Sequence, residues 1–131
     1  KILELLKEIN QRTGMAILII THNMGVVAQI ADEIIVMYLG KIAEQGSVTD
    51  IFHAPRHPYT KRLLESIPSR NKVPQSELMT IEGSIPDSNV EIKGCPFWER
   101  CEYRHECKGK DELPDIIELP NGQKVRCFMP R

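Results

Sequence analysis

The chain has 131 residues, 17 basic against 18 acidic, for a formal net charge of -1 at pH 7, and 5% of it is aromatic. Both signs are interleaved and no basic stripe is available to neutralise phosphates, so nucleic acid is not an expected partner. The longest apolar run, MAILII, falls far short of the roughly 20 residues that cross a bilayer, so membrane association is expected only through another protein.

In chain order, residues 1–13 carry Ile2, Leu5, Leu6 and Ile9 at helical spacing, and Gly14 is placed to stop the helix. MAILII, at 15–20, is rich in branched side chains and predicts a strand buried on both faces of a parallel sheet. After THN, Asn23 is positioned to cap a short helix through Val26, Val27 and Ile30. EIIVMYL predicts a second strand and GKIAEQG a third, joined by a tight turn at Gly40. Ser47 with Asp50 reads as a capping box for a short helix that Pro55 ends. Pro58 suits the first turn of a further helix in HPYTKRLLESI, closed by Pro68.

Pro and Gly concentrate after residue 53, marking a shift toward loop-rich structure. Residues 69–77, SRNKVPQSE, read as a linker, and LMTIEGSIPD as a short strand and turn. From Gly94 onward Ile116, Ile117, Leu119 and Val125 are nearly all the aliphatic residues a core could use. A segment this poor in apolar side chains is expected to need a disulfide or a metal. GCPFWERCEYRHEC spaces Cys95, Cys101 and Cys107 evenly, and Cys127 follows at a distance. The N-terminus lacks a secretory pattern, so nothing argues for an oxidising compartment and disulfides are not the first choice. The spacing is not the C-x2-C of zinc ribbons; a four-thiolate metal site, disulfides and free thiols all stay open. His105 lies between candidate ligands. His53 and His57 have metal-like spacing, but capping and loop contacts suit them better, while Phe97 and Trp98 are placed to shield the thiols or to form a small local core.

His22 stands directly after the first predicted strand, the end at which open α/β sheets place ligand-binding residues. The stretch around it, LIITHNMGVVAQIADEIIVMYLGKIAEQGSVTDIF, resembles the C-terminal part of the nucleotide-binding domain of ABC transporters. HAPRHPYTKRLLESIP resembles the signature of the oligopeptide and dipeptide importer ATPases, and the two resemblances together cover residues 1–68. They imply an α/β fold, with a helix, a parallel strand, a second helix, hairpin-like strands and further helices. They also imply that His22 is the switch histidine that contacts the γ-phosphate of ATP and helps position the attacking water, a role suited to an imidazole, which can donate to a phosphate oxygen. Asp32 matches the acidic residue of the family's AD pair and is expected to be structural, while Glu33 stands where many relatives carry Arg.

GCPFWERC, HEC and RCF likewise resemble the C-terminal extension of these importer ATPases. That resemblance implies a [4Fe-4S] cluster on Cys95, Cys101, Cys107 and Cys127, with zinc as the alternative; a cubane tolerates irregular spacing because its irons are separate attachment points. The expected organisation is therefore an ABC portion over 1–68 that includes the switch histidine, a linker with a short strand over 69–93, and a cysteine-rich metal-binding extension over 94–131. No G-x-x-x-x-G-K-[ST] loop, Walker B carboxylate or LSGGQ-type signature occurs. The chain is thus expected to be part of a larger ATPase that uses ATP and magnesium, and to be inactive alone. Implied partners are transmembrane permease subunits and a second ATP-binding subunit, at the cytoplasmic face of the membrane. A strand at 15–20 without its neighbours is expected to drive self-association. The second functional reading is a non-catalytic, metal-stabilised module that docks a partner subunit.

Overall fold

The computed structural model describes residues 2–67 and 91–129 and divides the chain into two compact units, residues 1–32 and 33–131. The expected linker at 69–77, the short strand in LMTIEGSIPD and Pro68 lie outside the described residues. No described helix is long and apolar enough to cross a membrane.

The first unit holds α1, Ile2–Thr13, and α2, Met24–Ile30. Gly14 ends α1 in the left-handed region at φ 67° while its N–H donates to the Asn10 carbonyl at 2.9 Å, the conformation in which glycine carries no Cβ penalty. Asn23 caps α2: its side chain accepts from the Val26 N–H at 3.2 Å. Neither helix has a buried residue.

The parallel strand expected over MAILII is not formed. Residues 15–20 are irregular, with Leu18 86% and Ile20 93% exposed. An apolar run becomes a strand only when a neighbour completes its hydrogen-bond ladder, and among the described residues the only sheet is antiparallel and lies wholly in the second unit. The described fold mixes helices with an antiparallel sheet.

In the second unit β1, Glu33–Tyr38, and β2, Lys41–Ser47, form the expected hairpin. Leu39 and Gly40 turn it at φ 44° and 76°, and two consecutive left-handed residues match the twist of a two-residue hairpin. Alternation along β1 puts Ile34, Val36 and Tyr38 inside. Val36 faces Glu44 but Met37 faces Ile42, so Ala43 is an extra residue, a β-bulge. Both Ala43 and Glu44 consequently turn inward, which strict alternation forbids.

Two helices follow as expected. In α3, Val48–His53, the Ser47 hydroxyl accepts from the Asp50 N–H at 3.1 Å and donates to the Asp50 carboxylate at 2.6 Å. In α4, Pro58–Glu65, proline occupies the first turn and the His57 ring accepts from the Tyr59 N–H at 3.0 Å, so this histidine is a helix cap. Two short strands, β3 (Ile117–Glu118) and β4 (Lys124–Val125), complete a sheet of order β1-β2-β4-β3.

Sharing this sheet resolves the expected shortage of apolar side chains beyond Gly94. Leu119, Val125 and Phe97 are buried together with residues of β1, β2 and α3. Phe97 meets Tyr38 edge-on at 5.3 Å between ring centroids and lies 5.4 Å from Tyr59, within the range where aromatic pairs attract. The segment is held by a core contributed largely by residues 33–67.

Candidate functional site

In the first unit His22 is exposed, in the turn between the irregular apolar run and the N-terminus of α2. The Asn23 N–H donates to the Thr21 hydroxyl at 3.0 Å, which bends the chain beside the imidazole and leaves the ring open to solvent. Asp32 is also exposed, and ends the unit.

In the second unit Cys95, Cys101, Cys107 and Cys127 line one cavity of about 20 Å³, together with His57, Pro58, Phe97 and Trp98. The chain reaches this geometry through a close approach of two loops: a Cβ on Gly94 would collide with the carbonyl oxygen of Gly109, and the Cys95 N–H donates to that carbonyl at 2.7 Å. Phe97 and Trp98 form part of the wall, as expected of shielding residues, and the Trp98 indole donates to the Arg104 carbonyl at 3.0 Å. His105 is exposed and outside the cavity wall, where it accepts from the Arg104 guanidinium at 3.1 Å, and His53 is exposed at the end of α3.

The expected iron–sulfur or zinc site needs correction. All four cysteines are free, and among the described residues no group of three or more His, Cys, Asp or Glu side chains is arranged to hold a metal ion. Burial raises the Cys95 and Cys127 thiols and pushes Cys101 up to about 11. A cavity of about 20 Å³ has room for little more than a water molecule. The four thiols thus line one cavity without an arrangement fit for a metal ion, in place of the [4Fe-4S] or zinc centre that the resemblance implied.

Burial also lowers His57, to about 4, so its ring is neutral at pH 7. With Nδ1 accepting from Tyr59, the ring proton belongs on Nε2.

Beside the cavity lies a site that sequence reasoning missed. Glu44 is fully buried, yet its carboxylate is well supplied with donors: Arg56 N–H at 2.6 Å, His57 N–H at 2.9 Å and the Gln123 side-chain amide at 2.6 Å. Gln123, also fully buried, donates to the Ala54 carbonyl at 3.2 Å and accepts from Asn121 at 3.2 Å. Asn121 in turn donates to Asp50 of α3 at 3.1 Å. Gly46 makes room, since a Cβ there would come within 3.2 Å of the Gln123 side chain. The available signal was a glutamate inside a strand, a residue that strands disfavour, two positions before Gly46.

Comparison with known proteins agrees with this architecture. Residues 43–107 match the family described as the oligopeptide/dipeptide transporter, C-terminal region. The dipeptide transport ATP-binding protein DppD of Bacillus subtilis is 51% identical over 79% of the chain, and DppD of Escherichia coli is 38% identical over 99%. The oligopeptide transport ATP-binding protein OppD of Bacillus subtilis is 42% identical over 98%. The chain spans only 31%, 39% and 36% of the length of these three relatives, respectively. The family match covers β2 from Ala43 onward, both following helices and three of the four cysteines, and on these grounds and the similarity to these relatives the chain belongs to the oligopeptide/dipeptide transporter C-terminal region family.

Proposed function

We propose that this chain is the C-terminal part of an ATP-binding subunit that couples ATP hydrolysis to the import of oligopeptides or dipeptides. The observation that carries the reading is similarity to peptide-transport ATP-binding proteins over 79% to 99% of the chain, at 38% to 51% identity. In this reading His22 is the switch residue. Its exposed imidazole, held in a turn before α2, senses the γ-phosphate of ATP and helps orient the attacking water, while the phosphate-binding loop and magnesium ligands belong to parts of the subunit outside this sequence. Residues 1–68 form the ATPase portion, 69–93 the linker and 94–131 the cysteine-rich extension.

The partners in this reading are transmembrane permease subunits and a second ATP-binding subunit, at the cytoplasmic face of the membrane. The exposed apolar run around Leu18 and Ile20 promotes self-association of the 131-residue chain on its own. The test is a His22→Ala substitution in the full ATP-binding subunit. Steady-state ATP hydrolysis should fall by about tenfold or more, an amount typical for loss of one group that acts on the transferring phosphate. An unchanged hydrolysis rate with intact folding would defeat the assignment.

A further inference from the structure

Cys95, Cys101 and Cys107 come from one short stretch, whereas Cys127 reaches the same cavity from beyond β4. We propose that Glu44 and Gln123 are positioning residues that latch the C-terminal segment in place and thereby bring Cys127 to the other three thiols.

The geometry gives the latch two arms. On one side the Glu44 carboxylate holds the backbone of Arg56 and His57, and so fixes the His57–Pro58 wall of the cavity at the start of α4. On the other side it takes the Gln123 amide, while Val125, two residues further on, pairs with Glu44 across the sheet. Arg126 then anchors the chain just before Cys127, through its N–H to the Ala43 carbonyl at 2.9 Å and its guanidinium to the carbonyls of Ile42 at 3.0 Å and Pro114 at 2.8 Å. One buried carboxylate thus ties together two stretches far apart in sequence, each of which supplies part of the cavity wall. Buried polar groups of this kind confer a unique arrangement because each partner left without its bond is costly. The latch makes the thiol cluster conditional: it is assembled while the segment around β4 is docked, and opens from the Cys127 side when that segment lifts.

The experiment is residue-resolved alkylation of the whole 131-residue chain with a neutral maleimide, read by mass spectrometry. Gln123→Met keeps the side-chain volume but removes the amide. It should raise the labelling rate of Cys127 relative to Cys101 by roughly tenfold or more, the factor expected for losing a buried hydrogen bond to a charged group. Acceleration of all four cysteines in step, or no change at Cys127, would overturn the latch, because a purely global loss of stability does not distinguish them. Native-state hydrogen exchange on the unaltered chain supplies a second readout. The Arg56 and His57 amides should open together with those of Leu119 and Arg126. Independent opening of the two sets would overturn the latch equally.

Discussion

Helices α1 and α2 bury none of their residues, whereas β1 alternates exposed and buried positions and encloses Ile34, Val36 and Tyr38. Both regions are rich in branched apolar side chains. In the first unit Leu18 and Ile20 stand in solvent, while in the second even a glutamate and a glutamine are fully buried. The contrast teaches that burial follows the completion of hydrogen bonds as much as hydrophobicity. The residues of β1 and β2 find ladder partners, and Glu44 finds three donors, so both can leave water at tolerable cost. The MAILII run has no such ladder among the described residues.

Chemistry divides along the same line. The candidate group in the first unit, His22, is exposed to solvent. In the second unit His57 is buried, neutral and already engaged as a helix cap, and burial pushes the Cys101 thiol beside it up to about 11. One residue type therefore stands in two opposite settings, solvent for His22 and a buried cap for His57.

The sharpest way to break this comparison is Glu44→Ala. It strands two backbone N–H groups and the Gln123 amide inside the second unit, and should cost about 3–5 kcal/mol in denaturant unfolding followed through Trp98 fluorescence. A loss below about 1 kcal/mol would mean that the site is hydrated and not a buried hub.

A slightly smaller effect is expected from pH. The folded-state value of His57, about 4, lies below its ordinary value of 6.5, so between these limits the unfolded chain binds a proton that the folded chain refuses. Stability should be at its plateau above pH 6.5, fall as the pH drops toward 4, and level off below, with a total of up to roughly 3 kcal/mol. Urea unfolding from pH 7 to 4 measures the slope. His57→Asn, which retains a helix-capping side chain, should flatten it; an unchanged slope would assign the effect to another group.

The smallest expected effect sharpens the comparison from the other side. Leu18→Ser with Ile20→Ser removes side chains already in solvent, and should change unfolding by no more than about 0.5 kcal/mol while reducing association in light scattering. A loss of several kcal/mol would show that these residues are packed in solution.

Much of the local structure was legible because it depends on neighbours in sequence. Gly14 and Gly40 mark their turns through positive φ, Asn23 and Ser47 their helix starts, and Pro58 its first turn. EIIVMYL, read as a strand, forms β1 over Glu33–Tyr38. Illegible were the contacts made at long range. No periodicity announces a bulge, and without the bulge at Ala43 a reader expects Glu44 to share the alternation of its strand. The cysteine spacing suggested convergence, and the four side chains do line one cavity, but spacing carries no information about protonation or about an arrangement fit for a metal.

Sequence alone determined the caps, the hairpin and the family resemblance, since each rests on residues close in the chain or on a contiguous motif. Tertiary structure decided the fate of MAILII, the neutrality of His57 and the pairing of Glu44 with Gln123. Those depend on which groups lose water and which partners replace it, and residues 79 positions apart can settle that only once the chain has folded.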